Sequence, residues 1–307
     1  MSDGVCKVCF RHCRIEEGGL GFCGARTCKD GKVVCANYGR VTSLAMDPIE
    51  KKPLKRFFPG SLILSVGSYG CNLRCPFCQN SDISWSGIAM RTARKAAGQS
   101  EDRGAAGKDG ASGQGEVLKT EMVPPEELAS AAEYYKEAGS IGVAFTYNEP
   151  LIGYEYVRDA AKLVHEKGLK NVIVTNGTAS LDVLDELAPY IDAMNIDLKG
   201  FTDRYYKEVL GGDRKMVMDF IEKAVTVCHV EITTLIIPGE NDSEEEMDEL
   251  SGWVAGLGPD GADIPLHVTR FFPCFHMTDR DATSVESVIR LADAARRNLK
   301  YVYTGNI

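Results

Sequence analysis

The residues best suited to chemistry are cysteines, and they fall into two closely spaced groups. Cys71, Cys75 and Cys78 follow a C-x3-C-x2-C pattern within Gly67-Ser68-Tyr69-Gly70-Cys71-Asn72-Leu73-Arg74-Cys75-Pro76-Phe77-Cys78-Gln79-Asn80. Three thiolates from one loop can converge on a metal, and a four-iron cluster held by only three of them leaves one iron open to an outside ligand. A zinc ribbon completed by Cys228, Cys274 or a histidine is the competing reading. The second group, Cys6, Cys9, Cys13 and Cys23, is spaced C-x2-C-x3-C-x9-C. It can close a tetrahedral zinc site or bind a second cluster, with Cys28, Cys35 and His12 as further candidate ligands and free thiols as the alternative.

The elements that must position these residues follow from the apolar pattern. Runs at 62–66, 141–145, 172–174, 194–196, 232–237 and 266–268 read as strands. Helical patterns separate them, at Pro124 to Ala138 and at 153–167, 180–189, 214–227, 244–257 and 284–297. In the first of these, Pro125 suits a first turn, Glu126 and Glu127 favour the positive end of the dipole, and Gly139 supplies a stop. Strands alternating with helices imply parallel units with right-handed crossovers and functional loops at the strand C-termini. The expectation is an α/β fold, a partial (β/α)6 TIM-like barrel, with a cysteine-rich head and connecting segment over 1–60 and the barrel over 61–307. Residues 91–116, rich in Gly and Ala, read as a flexible insertion.

With 307 residues, 44% of them apolar, the chain can bury a sizeable core. Its formal charge of -9 disfavours nonspecific binding to nucleic acid or anionic membrane. No apolar run approaches the roughly 20 residues that span a bilayer, and Met1-Ser2-Asp3-Gly4 opens no signal sequence, so a cytoplasmic protein is expected. Eleven cysteines, an odd number in short-spaced groups, suit metal ligation in a reducing compartment better than disulfides.

The 67–80 loop resembles the signature of the radical S-adenosylmethionine superfamily, with Phe77 at the usual aromatic position before the third cysteine. The resemblance implies a [4Fe-4S] cluster on Cys71, Cys75 and Cys78, with S-adenosylmethionine on the open iron. Its reductive cleavage would yield a 5′-deoxyadenosyl radical that abstracts hydrogen. Tyr147-Asn148-Glu149-Pro150 stands where relatives similar to pyruvate formate-lyase activating enzyme carry Gly-Gly-Glu-Pro, which implies a contact to the cofactor's ammonium group. Thr175-Asn176-Gly177 resembles a segment that meets the ribose or methionine end. Asp197 and Lys199, in Asp197-Leu198-Lys199, match residues that serve a monovalent-cation site and the methionine carboxylate. Leu235 falls on the strand whose backbone receives the adenine, and His267 on the sixth, which offers a histidine beside the cofactor. A surface ion pair for Asp197 and Lys199, and a structural histidine at 267, are the alternatives.

The head, with Ser43 to Leu54, Phe58-Pro59-Gly60 and Cys78-Gln79-Asn80, is similar to the AmmeMemoRadiSam-system radical enzymes. The terminal cysteine pair of many members does not follow Asn306, as in a shorter variant or a chain whose tail has been lost, which puts any third metal site out of reach. The function implied is hydrogen abstraction from an unidentified substrate, with an electron donor such as flavodoxin or ferredoxin. An activating enzyme that installs a glycyl radical in a partner protein is the alternative, and a cluster-bearing electron-transfer or binding protein is the non-enzymatic one.

Overall fold

A computed structural model describes residues 4–99 and 117–307. Eight strands make one sheet: β1 (Ser43–Pro48), β2 (Leu62–Gly67), β3 (Ser140–Phe145), β4 (Lys170–Thr175), β5 (Ala193–Asp197), β6 (His229–Ile236), β7 (Leu266–Arg270) and β8 (Val302–Gly305). They lie side by side in chain order. Strands β2 to β8 run parallel, and β1 pairs antiparallel with β2 at one edge. Helices α1 (Ser81–Ser84), α2 (Gly87–Ala96), α3 (Pro125–Tyr134), α4 (Tyr154–Glu166), α5 (Leu181–Leu187), α6 (Arg214–Ala224), α7 (Glu244–Ala255) and α8 (Val285–Ala295) occupy the connections. This is the expected α/β partial barrel, enlarged by β1 and β8. Among the described residues no helix is long and apolar enough to cross a membrane.

Side-chain alternation along the strands divides the interior in two. One set, including Val143, Ile173, Met194, Ile232 and Val268, packs with the helices' apolar residues in the main core. The opposite set, Ile63, Ala144, Val172 and Ala193, meets Ile49 and Leu54 of the segment between β1 and β2. The connecting segment is therefore a plug near the N-terminal ends of the strands. Glu231 on β6 secures it: its fully buried carboxylate accepts the backbone N–H groups of Lys55 (2.9 Å) and Arg56 (2.7 Å). Asn195 on β5 adds a bond to the carbonyl of Pro53 at 2.9 Å.

Two expected elements are shorter or differently placed. The helix anticipated from Pro124 to Ala138 ends at Tyr134, because the chain then tightens into turns that close on Gly139 at φ +91°. Residues 91–96, expected in the insertion, complete α2. The Ser86 hydroxyl caps it by accepting from Ala89, and Ala89, Thr92 and Ala93 are buried. The rest of the expected insertion, 100–116, lies outside the described residues.

Burial alone would push the Glu231 carboxyl up. Hydrogen bonds from His229, His267, Lys55 and Arg56 outweigh it and hold the group at about 2. Its stabilising contribution is thus present above the ordinary carboxylate range and lost as pH falls toward 2. The expected cost of Glu231→Gln at neutral pH is about 3 kcal/mol in urea unfolding, a difference that shrinks between pH 5 and pH 2. Equal stability of the two proteins at pH 7 would refute the role.

Candidate functional site

Strand β2 ends at Gly67, and the loop that follows turns back at the end of the sheet where β3, β4 and β5 also finish. Gly67 is obligatory by space: a Cβ there would lie 2.8 Å from Cδ2 of Tyr147. Gly70, at φ +98°, lets the loop come up against the head, since its Cβ would stand 2.6 Å from the carbonyl oxygen of Cys23. Across that contact the N–H of Cys71 donates to the same carbonyl at 3.2 Å.

Cys71, Cys75 and Cys78 lie close enough for each thiol's ionisation to disfavour the others'. Burial pushes Cys75 up to about 12 and Cys71 well above the ordinary thiol range. Two donors face the Cys71 sulfur, the backbone N–H of Leu73 at 3.4 Å and Nδ2 of Asn176 at 3.7 Å. Among the described residues no three His, Cys, Asp or Glu side chains are placed to grip a single metal ion. A [4Fe-4S] cluster would take one thiolate of the loop on each of three irons and leave the fourth iron open.

Among the described residues, the two arginines beside these thiols, Arg74 and Arg11, form no ion pair with a carboxylate. Arg74 donates to the carbonyls of Cys71, Leu73 and Phe22, and Arg11 to those of Asn72 and Gly211. The two guanidinium groups stack on the Phe22 ring, at 3.7 and 3.4 Å from its centroid. Burial lowers Arg74 to about 10, and the thiolate of Cys71 works against that fall. The Tyr205 hydroxyl, buried and without a hydrogen-bond partner among the described residues, lies within electrostatic reach of Cys75 and Lys199. Thiols, unanswered cations and an idle donor together fit a buried anionic metal cluster.

The neighbouring strand ends contribute the other expected residues. Glu149 accepts from Thr175 Oγ1 (2.7 Å), Asn176 N (2.8 Å) and Leu151 N (3.0 Å), which joins the ends of β3 and β4. Burial nevertheless raises its carboxyl to about 7. Lys199 Nζ lies 2.8 Å from Asp197 Oδ2. Although burial opposes its charge, Asp197 and the nearby Cys75 keep the ammonium firmly protonated. Phe77 is buried edge-on to Phe271.

Tyr147 and Asn148, which replace two glycines, use their side chains. Asn148 accepts from Ser68 N at 2.9 Å and donates to the carbonyls of Tyr69 and Gly70. Tyr147 takes a positive φ of 72°, reaches Asp47 through its hydroxyl at 2.7 Å, and its carbonyl accepts from Asn80. Asn148 therefore clamps the start of the cysteine loop with its side chain.

Two expected residues are not brought to the thiols. His267, second in β7, is buried with Nε2 2.6 Å from Glu231 and its ring against Tyr303. It belongs with the plug near the strand starts, so the structural alternative describes its contacts. The Leu235 carbonyl is occupied by Nδ2 of Asn241 at 2.9 Å. Residues that the sequence left unassigned fill the gap: Arg11, Arg74, Tyr205, and Asn72, whose Oδ1 receives Asn176 Nδ2 at 3.0 Å. Only the presence of Asn72 and Arg74 between the cysteines hinted at this.

A family model described as the Radical SAM superfamily matches residues 65–251. An uncharacterized protein of Methanocaldococcus jannaschii is 35% identical over 98% of this chain and 81% of its own length. Pyruvate formate-lyase-activating enzyme of Clostridium pasteurianum is 25% identical over 61% of this chain and 67% of that one. Among solved structures, Streptococcus suis SuiB bound to S-adenosylmethionine superposes with a TM-score of 0.53 at 16% identity, over 79% of this chain and 51% of SuiB. That likeness is one of fold.

The close approach at Gly70 gives a direct test. Gly70→Ala combines a left-handed backbone with a clash against Cys23 and is expected to cost about 2 kcal/mol or more. Thermal unfolding checks the cost, and limited proteolysis should show the head released first. An unchanged melting temperature would show that the contact is not close.

Proposed function

The chain belongs to the radical S-adenosylmethionine superfamily, and from that membership we propose that it cleaves S-adenosylmethionine reductively, with a [4Fe-4S] cluster held by Cys71, Cys75 and Cys78. The observation that carries the proposal is the convergence of three loop thiols with Glu149, Asn176, Asp197 and Lys199 from the ends of three adjacent parallel strands. Polar groups gathered from successive strand ends at one face are how barrels of this kind build sites. When bound, the cluster supplies the electron that breaks the sulfonium, so that a 5′-deoxyadenosyl radical can take hydrogen from the substrate.

The protein's part is placement. The buried Lys199 ammonium is a permanent positive charge suited to the methionine carboxylate, and Asp197 holds it in place while keeping an oxygen for a monovalent cation. Glu149 fixes Thr175 and Asn176, and Asn176 in turn faces the Cys71 sulfur. Asn148 and Tyr147 hold the two arms of the cysteine loop, through Ser68 and Asn80 respectively. Phe77, at 4% exposure, keeps water from the third cysteine. Leu235 and His267 can serve the cofactor only from beyond their present bonds to Asn241 and Glu231.

The target is a hydrogen-bearing group outside this chain, and the electron donor is a low-potential carrier such as flavodoxin or ferredoxin. A second reading, a glycine of a partner protein as target, is supported by relatives named as activating enzymes for pyruvate formate-lyase and 4-hydroxyphenylacetate decarboxylase. The SuiB structure with a precursor peptide is compatible with such a target.

Anaerobic reconstitution should give a cluster whose spectrum changes on adding S-adenosylmethionine, with 5′-deoxyadenosine formed after reduction. Absence of both would sink the proposal. Lys199→Met should leave the loop's iron content intact while weakening S-adenosylmethionine binding about 30-fold or more, as loss of a buried charge contact does. Unaltered affinity would remove Lys199 from the site.

A further inference from the structure

The four head cysteines are not needed for anything above, yet the structure gathers them. Cys6, Cys9, Cys13 and Cys23 line one small cavity together with Val8, Arg11 and Arg26. Cys6, Cys9 and Cys23 are buried around that cavity and Cys13 is half-buried.

The cavity also adjoins the loop directly. The Cys23 carbonyl receives the Cys71 N–H at 3.2 Å, so one ligand candidate of each group meets the other across a single hydrogen bond. Asn72 lies between the two groups: its carbonyl receives Arg11 from the cavity wall at 2.8 Å, and its Oδ1 receives Asn176, which faces the Cys71 sulfur. Arg11, which lines the cavity and donates to the carbonyl of Asn72 in the loop, is shared between the two. Gly70 is the residue that makes this proximity possible. A purely structural metal would stabilise the head from anywhere; this one abuts the reactive loop.

We infer that Cys6, Cys9, Cys13 and Cys23 hold a second iron–sulfur cluster that passes electrons to the cluster at Cys71, Cys75 and Cys78 across the Cys23–Cys71 contact. The inference rests on the proposed function for its acceptor. The step balances as one electron: a low-potential one-electron carrier reduces the head cluster by one, and that electron leaves it when the loop cluster is reduced, with no proton moved and no bond broken. Arg11 favours the reduced, more negative state of both centres, since hydrogen bonds and nearby charge set cluster potentials.

The test uses the full chain, reconstituted without oxygen. The wild type should contain about eight irons and no zinc, and Cys6→Ser/Cys13→Ser about four, with the spectral response to S-adenosylmethionine kept. Reduction of the loop cluster by reduced flavodoxin, followed by electron paramagnetic resonance, should slow at least tenfold in that variant. Arg11→Gln, which leaves every thiol in place, should lower the midpoint potentials of both clusters. Zinc in the wild-type head, or loop reduction at an unchanged rate in the double variant, would overturn the inference, and the wild-type metal content decides even if the variant does not fold. A wild type with eight irons and no response to S-adenosylmethionine would instead refute the proposed function and leave the second cluster standing.

Discussion

Thiols buried beside one another resist becoming thiolates, and metal ligation requires thiolates. Burial is the largest influence on Cys71, Cys75, Cys78 and Cys23 alike, and in each case it favours the protonated thiol. Much of the surrounding structure answers that cost. Arg74, Arg11 and Lys199 bring positive charge into the same buried region, and Arg74 and Arg11 spend their donors on carbonyls, so their charge is left for the sulfurs. The Phe22 ring accepts both guanidinium cations, an attraction that offsets part of the repulsion by which Arg11 lowers Arg74.

The same need explains why the loop is anchored from so many directions. A short loop with three buried ligands has little apolar surface with which to fix its shape. Leu210, at the end of the π-helical turn Tyr205–Leu210, receives the N–H of Arg74. Asn148 holds the loop's start, Asn72 its middle through the carbonyl of Thr178, and Pro76 accepts from His276. At the opposite strand ends the plug is fixed by the Glu231 carboxylate, so both ends of the barrel depend on hydrogen bonds between distant parts of the chain.

Much of this was legible in the sequence where local pattern decides. The six anticipated strands and the alternation with helices follow from apolar periodicity, and the cysteine spacing singles out residues 71–78. Strand β1 escaped because its solvent-facing Leu44 and its Asp47-Pro48 end lack a strand's alternation. Strand β8 has only four residues. Both are placed at the sheet edges by pairing with a neighbour, which for β8 adds to the strand-favouring Val302, Tyr303 and Thr304. The resemblance implies a cofactor-side histidine on the sixth strand, and the depth of His267 along β7 puts it beside Glu231, as the structural alternative has it. Arg11 illustrates the same limit, since its partners Asn72 and Gly211 lie 61 and 200 residues away.

Tyr147 and Asn148 show what replacing two glycines does. Glycines at a strand end leave the backbone free to approach a ligand but contribute nothing to holding the loop beside it. Here Asn148 supplies three hydrogen bonds to residues 68–70, and Tyr147 accepts a left-handed backbone in order to reach Asp47. Asp47 is held by Lys52, whose ammonium also faces the Tyr147 ring at 4.6 Å. The loop that carries the three cysteines is thereby tied through Tyr147 to the connecting segment that plugs the other end of the strands. Strain in one residue is thus balanced by a buried ion pair, and the cysteine loop, the head and the plug form one mechanically continuous unit around the parallel strands.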